Sequence, residues 1–204
     1  MTYHDAIIVM TEKQIQGAIA KIDKYKKALA ADKRYWGGQY RDSQGTRYQI
    51  PALYIKIGDF QGGLKYLNWF SKHFPDDSGY PIFLFEWTII LFKCGKLVEA
   101  EQKAHHTYFA NTYLFEKFLG KTSSQPDKDE SSNWEQASLA DKLPYSREDE
   151  AFSDFAVWVE AILQNSLFLD KANEFMLIAI KLKTEPVGPE RSKLVNRLYE
   201  IKYG

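Results

Sequence analysis

The residues best equipped for chemistry lie between Arg34 and Tyr48. The segment reads Arg34-Tyr35-Trp36-Gly37-Gly38-Gln39-Tyr40-Arg41-Asp42-Ser43-Gln44-Gly45-Thr46-Arg47-Tyr48. Glycines permit tight or left-handed backbone, and arginine both stacks on aromatic faces and forks onto a carboxylate or phosphate. Trp36 and Tyr40 are therefore candidate stacking plates, and Arg41 and Arg47 candidate anion anchors, for a peptide carboxylate, a nucleotide or a base. The competing reading is an internal seal. Asp42 would pair an arginine and the aromatics would close the end of the core. The glycine spacing is not that of a dinucleotide or phosphate loop, and no Gly-Lys-Ser/Thr follows.

Other reactive types are scattered. Tyr54 and His105 are further candidate contact residues. His105 and His106 are neighbours on one helix, point in different directions and cannot share a metal from that element. No His-Glu-x-x-His or Cys-x-x-Cys is present. Glu86 interrupts the most apolar window, Pro81 to Phe92. A carboxylate there must be paired or protonated, by facing a solvent strip or meeting an arginine of the 34–47 loop. We find no nucleophile elbow and no acid–base pair, so we expect no enzyme, no metal and no cofactor.

Bulk composition bounds the rest. The chain has 204 residues, is 45% hydrophobic and carries 27 basic and 27 acidic side chains. That suits a single domain, 1–204. Zero net charge disfavours non-specific nucleic-acid binding. The single Cys94 excludes an internal disulfide and fits a reducing, cytoplasmic setting. The apolar run Asp5–Met10 is too short for a signal core, and Pro81–Phe92 too short to span a membrane.

The elements that must carry these residues are helical. Residues 1–46 hold one helix and the Gly/Arg/aromatic loop, with Ala6–Met10 a strand or strap. Thr11 and Gln14 have capping-box spacing, and Ile15, Ala18, Ile19, Ile22, Tyr25 and Leu29 form a stripe ending near Ala31. The face with Lys21, Lys24, Lys26 and Lys27 reads as solvated, or as a surface for an acidic partner. Four helices follow in two pairs, Tyr48–Ile57 with Phe60–Phe74 and Pro81–Lys93 with Leu97–Phe109, each turning at a glycine, Gly58 and Gly95. Pro51 either starts or kinks its helix. These helices belong to a segment 47–120. A mobile loop, 121–133, and C-terminal helices over 134–204 complete the chain, with Ser132/Glu135 and Ser146/Asp149 as caps.

The paired helices resemble a tetratricopeptide repeat. Tyr54, Ile50, Gly58-Asp59-Phe60, Leu67 and Pro75 fall at that family's positions, as do Leu91, Gly95, Leu97 and Ala100. Arg47, Pro51, Gly63, Trp87 and Ala104 depart from it. The turn glycines lie 37 residues apart, against a family period of about 34. Two units near 47–112 and a third near 156–184 are expected. The resemblance implies an all-α fold of antiparallel hairpins stacked as a short solenoid of about nine helices. It also implies a non-enzymatic scaffold that binds a peptide or protein on a concave face lined by Tyr48–Ile57 and Pro81–Lys93. The alternative is a small-ligand or nucleotide-binding protein, an enzyme included, that uses the 34–47 Arg/aromatic loop.

Overall fold

Residues 10–203 are described by a computed structural model. The run 6–9 of the expected strand or strap lies outside them. All regular structure among the described residues is helical, with ten α-helices and two 3-10 turns. They fall into two compact units, 1–77 and 78–204. The division falls inside the segment read as one stack, at the Asp76-Asp77-Ser78-Gly79 turn.

The first unit starts with α1 (Glu12–Tyr35). Its cap is the reciprocal one. The Gln14 amide donates to Thr11 Oγ1 at 3.3 Å, and the Thr11 amide donates to Gln14 Oε1 at 2.8 Å. The helix passes Ala31 because nothing before Gly37 breaks it, and Gly37 turns the chain at φ +65°. A 3-10 turn over Thr46–Gln49 leads into α2 (Ile50–Lys56). Pro51 sits in the first turn of α2, where its missing N–H costs nothing, so it starts the helix rather than kinking it. α3 (Phe60–His73) follows, capped by Asp59. Ile22 and Leu29 of α1, Ile50 and Tyr54 of α2 and Tyr66 of α3 form the core.

The second unit begins with a hairpin of α4 (Pro81–Lys93) and α5 (Leu97–Ala110). Its turn repeats the α2–α3 turn closely. Gly58 and Gly95 are left-handed at φ +71° and +73°. The following residue's amide reaches back to Tyr54 O or Leu91 O at 3.0 Å in both, the bond that satisfies orphan helix-end carbonyls. Asp59 and Lys96 then take nearly the same backbone angles, −86°/68° and −87°/65°. The space beside Gly58 is open, so Gly58→Val meets backbone strain alone. We expect it to cost about 1 kcal/mol or more. An unchanged midpoint in thermal unfolding would remove this account of the turn.

α6 (Leu114–Phe118), α7 (Ala137–Ala140), α8 (Ser153–Leu163), α9 (Ser166–Leu182) and α10 (Pro189–Tyr203) complete the second unit. Phe85 of α4 meets the rings of Phe115, Phe118 and Phe155, a core dense in large aromatic area. α10 rests on α5 and α9. Arg191 of α10 donates to Leu182 O and Glu185 O, so it is spent on the end of α9. Two caps also differ. Glu135 bonds the Ser131 amide, and Ser146 with Asp149 closes a turn ahead of a 3-10 segment rather than starting α8.

Two expectations are corrected here. Glu86 is buried, 4% exposed, and accepts a 3.0 Å hydrogen bond from the Tyr145 hydroxyl. A tyrosine therefore meets it rather than an arginine or solvent. Residues 121–133, read as a mobile loop, are helix-free but tied down. The Lys128 side chain is 4% exposed, lies 3.9 Å over the Tyr113 ring and pairs Glu130 at 3.0 Å. The Asp129 amide donates to Ala179 O at 2.9 Å, and Lys183 pairs Asp127. The loop's polar composition hid this, because its anchor is one buried lysine stem rather than an apolar side chain. No helix among the described residues is long and apolar enough to cross a membrane.

Candidate functional site

An aromatic-lined concavity of the first unit is built from three helices and one loop. Helical spacing places Lys26, Ala30 and Lys33 of α1 on one face. Tyr54 comes from α2, while Gly62, Lys65, Tyr66 and Trp69 come from α3. Tyr40 of the loop closes one side. Together Lys26, Ala30, Tyr40, Tyr54, Gly62, Lys65, Tyr66 and Trp69 line an open groove of about 390 Å³.

Each wall has a local cause. Tyr66, Trp69 and His73 recur at three and four residues along α3, so their rings stack in file. Tyr66 and Trp69 are 5.4 Å apart, and Trp69 and His73 4.7 Å. The Tyr66 hydroxyl donates to Arg47 O at 2.7 Å, and burial holds its pKa well above the usual phenol range. Tyr40 stands edge-on to Trp69 at 5.6 Å, with its pKa also raised by burial. His73 Nδ1 lies 2.7 Å from Trp69 O, and a carbonyl only accepts, so Nδ1 carries the proton. Gly62 is required at the floor. A Cβ there would come within 2.1 Å of Asp59 Oδ2 and 2.6 Å of the Tyr54 ring.

Polar groups sit on the rim. Lys26 Nζ donates to the Tyr54 hydroxyl at 2.7 Å, and Lys33 Nζ lies 5.1 Å from the Tyr40 ring centroid. Among the described residues Lys26, Lys33 and Lys65 have no carboxylate partner. The groove thus offers flat apolar walls and uncompensated positive charge. It offers no nucleophile with an activating base, and no group of three or more metal-ligating side chains occurs among the described residues.

The residues singled out from sequence are distributed otherwise. Tyr40 and Tyr54 are brought together in the groove. Arg47 is closed into a network. Its Nε donates to Asp77 at 2.8 Å, its Nη1 to Asp42 at 3.0 Å and its Nη2 to the Tyr48 hydroxyl at 2.9 Å. The Tyr48 hydroxyl in turn donates to Asp77 at 2.6 Å. The structure thus places Arg47 in the arrangement of the internal seal, the competing reading of this loop. Arg41 Cζ lies 3.9 Å from the Trp36 ring centroid, both residues exposed, and the Arg41 amide is held by Asp32 at 2.8 Å. His105 belongs to the second unit and stacks on Phe168 at 5.1 Å.

Sequence reading missed Lys65, Tyr66 and Trp69, and it placed Lys26 on a face read as solvated or as a surface for an acidic partner. Phe60, Leu64, Leu67, Phe70 and Phe74 form the more apolar stripe of the helix carrying Tyr66 and Trp69. The signal for the other face was present, as Tyr66-Trp69-His73 is itself helically spaced. No family model matches the chain, and no curated protein or solved structure matches it significantly.

Proposed function

We propose that this chain is a tetratricopeptide-like, non-enzymatic binding protein whose first unit takes a segment of a protein partner into the α1–α2–α3 groove. The observation that carries this is the groove itself, with four aromatic walls and a lysine rim. Large rings immobilised by packing supply contact area at low entropic cost, and Trp and Tyr dominate interaction hot spots. The repeated glycine turn of the two hairpins supports the family likeness. The lone, half-buried Cys94 supports a reducing, cytoplasmic setting.

A second reading has one observation in its favour. About 390 Å³ falls within the range of small-molecule sites, about 300–1,000 Å³, so a small ligand or nucleotide also fits.

One substitution tests both. Ala30 is exposed on α1 at the groove, so Ala30→Trp plugs it with little consequence for the helix. We expect a partner captured from native extract by the wild type to be lost by Ala30→Trp, with helical content and melting unchanged. Equal capture by both would overturn the groove as a partner site. A metabolite released from wild type alone, with no protein lost, would assign the groove to a small ligand.

A further inference from the structure

We propose that the segment entering the groove is acidic, with an apolar side chain seated against Trp69 and Tyr66 and carboxylates meeting Lys26, Lys33 and Lys65. This rests on the groove being a partner site and names the chemistry that the site selects.

The first support is how the charges divide. Residues 1–77 hold 12 Lys/Arg and 8 Asp/Glu, a formal charge of +4, whereas residues 78–204 hold 15 and 19, a charge of −4. A chain that is neutral as a whole is thus basic where the groove lies.

The second support is what the first unit's acids do. Asp32 accepts from the Arg41 and Asp42 amides. Asp42 accepts from the Thr46 and Arg47 amides and pairs Arg47. Asp59 caps α3, and Asp77 holds Arg47 and Tyr48. Four carboxylates are consumed in making the fold. The lysines receive none of them, and Arg47 is the one cation in an ion pair among the described residues of this unit. In the second unit most cations are paired, from Lys93–Asp154 to Lys202–Glu135. The groove therefore presents charge that an incoming anion can neutralise.

A peptide fits this better than a nucleic acid. Three cations spaced around one concavity match a few carboxylates flanking one anchor side chain. A nucleic-acid strand needs a continuous basic track with successive stacking plates. Here the rings of Tyr66, Trp69 and His73 are stacked on one another and leave one wall.

The test is selection of a phage-displayed random dodecapeptide library on three proteins: wild type, Ala30→Trp, and Lys26→Ala/Lys65→Ala. Both lysines are exposed, and circular dichroism checks each fold. We expect wild type to enrich peptides with Asp or Glu beside an aromatic or leucine. Ala30→Trp should lose that enrichment. The double lysine variant should bind the same peptides about tenfold more weakly, the equivalent of about 1.4 kcal/mol, and with a shallower salt dependence. Peptides enriched by wild type and lost with Ala30→Trp, but without acidic bias, would overturn the charge inference and leave the partner site standing. No difference between wild type and Ala30→Trp would overturn both. A labelled single-stranded DNA that binds through the same two lysines and is blocked by Ala30→Trp, with no acidic peptide enriched, would also overturn the inference in favour of nucleic acid.

Discussion

Arg47→Met is expected to lower the unfolding free energy by about 3 kcal/mol, the largest loss for any single polar substitution in the first unit. An exposed ion pair is worth about 0–1 kcal/mol, and this is not one. The side chains of Arg47, Asp42 and Asp77 are 18%, 4% and 11% exposed. Removing the guanidinium takes the one paired cation from two desolvated carboxylates and one of the hydrogen bonds from the Tyr48 hydroxyl. Methionine keeps much of the stem's packing, so the loss reports the electrostatics. Arg47→Lys should recover only part of it, because an ammonium cannot fork to Asp42 and Asp77 at once. Urea unfolding read by tryptophan fluorescence gives the number, and a loss under about 1 kcal/mol would show the network to be worth no more than a surface bridge.

Stability is expected to fall as pH drops from about 6.5 to about 4, and His106 is expected to cause much of the fall. Burial, aided by Lys103 and Lys202, lowers the His106 pKa from 6.5 to about 4. Its Nε2 is buried without a hydrogen-bond partner, and its ring meets Tyr203 at 5.4 Å. The sign follows from the proton count. Across that window the unfolded chain holds the proton and the folded one does not, so acid favours unfolding. The contribution is complete above pH 6.5, drains away on acidification and changes no further below about 4. Its size is about 3 kcal/mol at most. Burial lowers the His105 pKa in the same direction. In His106→Gln the acid slope should flatten through this window, while the acid loss at lower pH, where carboxylates are protonated, should persist. An unchanged slope would mean that the imidazole is solvated when the protein is folded.

The helical class was legible because its signals are local. Thr11–Gln14 spacing, glycines after apolar runs and prolines at Pro81 and Pro189 act within one turn of chain, and each marks a boundary found in the structure. The seal reading of the 34–47 loop also came from local logic, since Asp42 and Arg47 are five apart and pair. What was illegible depends on partners far along the chain. Asp77 meets Arg47 across thirty positions, and Tyr145 meets Glu86 across fifty-nine. The groove failed to register for a related reason. Tyr66 and Trp69 are as apolar as the core stripe beside them, and only the position of α1 decides which stripe is covered and which is left open. Lys26 looks the same in sequence whether it faces bulk water or an aromatic wall.

The carboxylate-held loop has a kinetic consequence. Residues 36–45 have no helix or strand, yet the amides of Arg41 and Asp42 are bound by Asp32, and those of Thr46 and Arg47 by Asp42. In deuterium exchange these amides should be as slow as helical ones, and they should open together, because Asp42 is both a bound amide and the next acceptor. Tyr40, the loop's contribution to the groove, stands one residue before that chain of bonds. Under the proposed function, release of a seated side chain should be timed by the loop's opening as well as by contacts within the groove. Asp32→Asn, which touches no wall, should shorten the residence of whatever the groove holds.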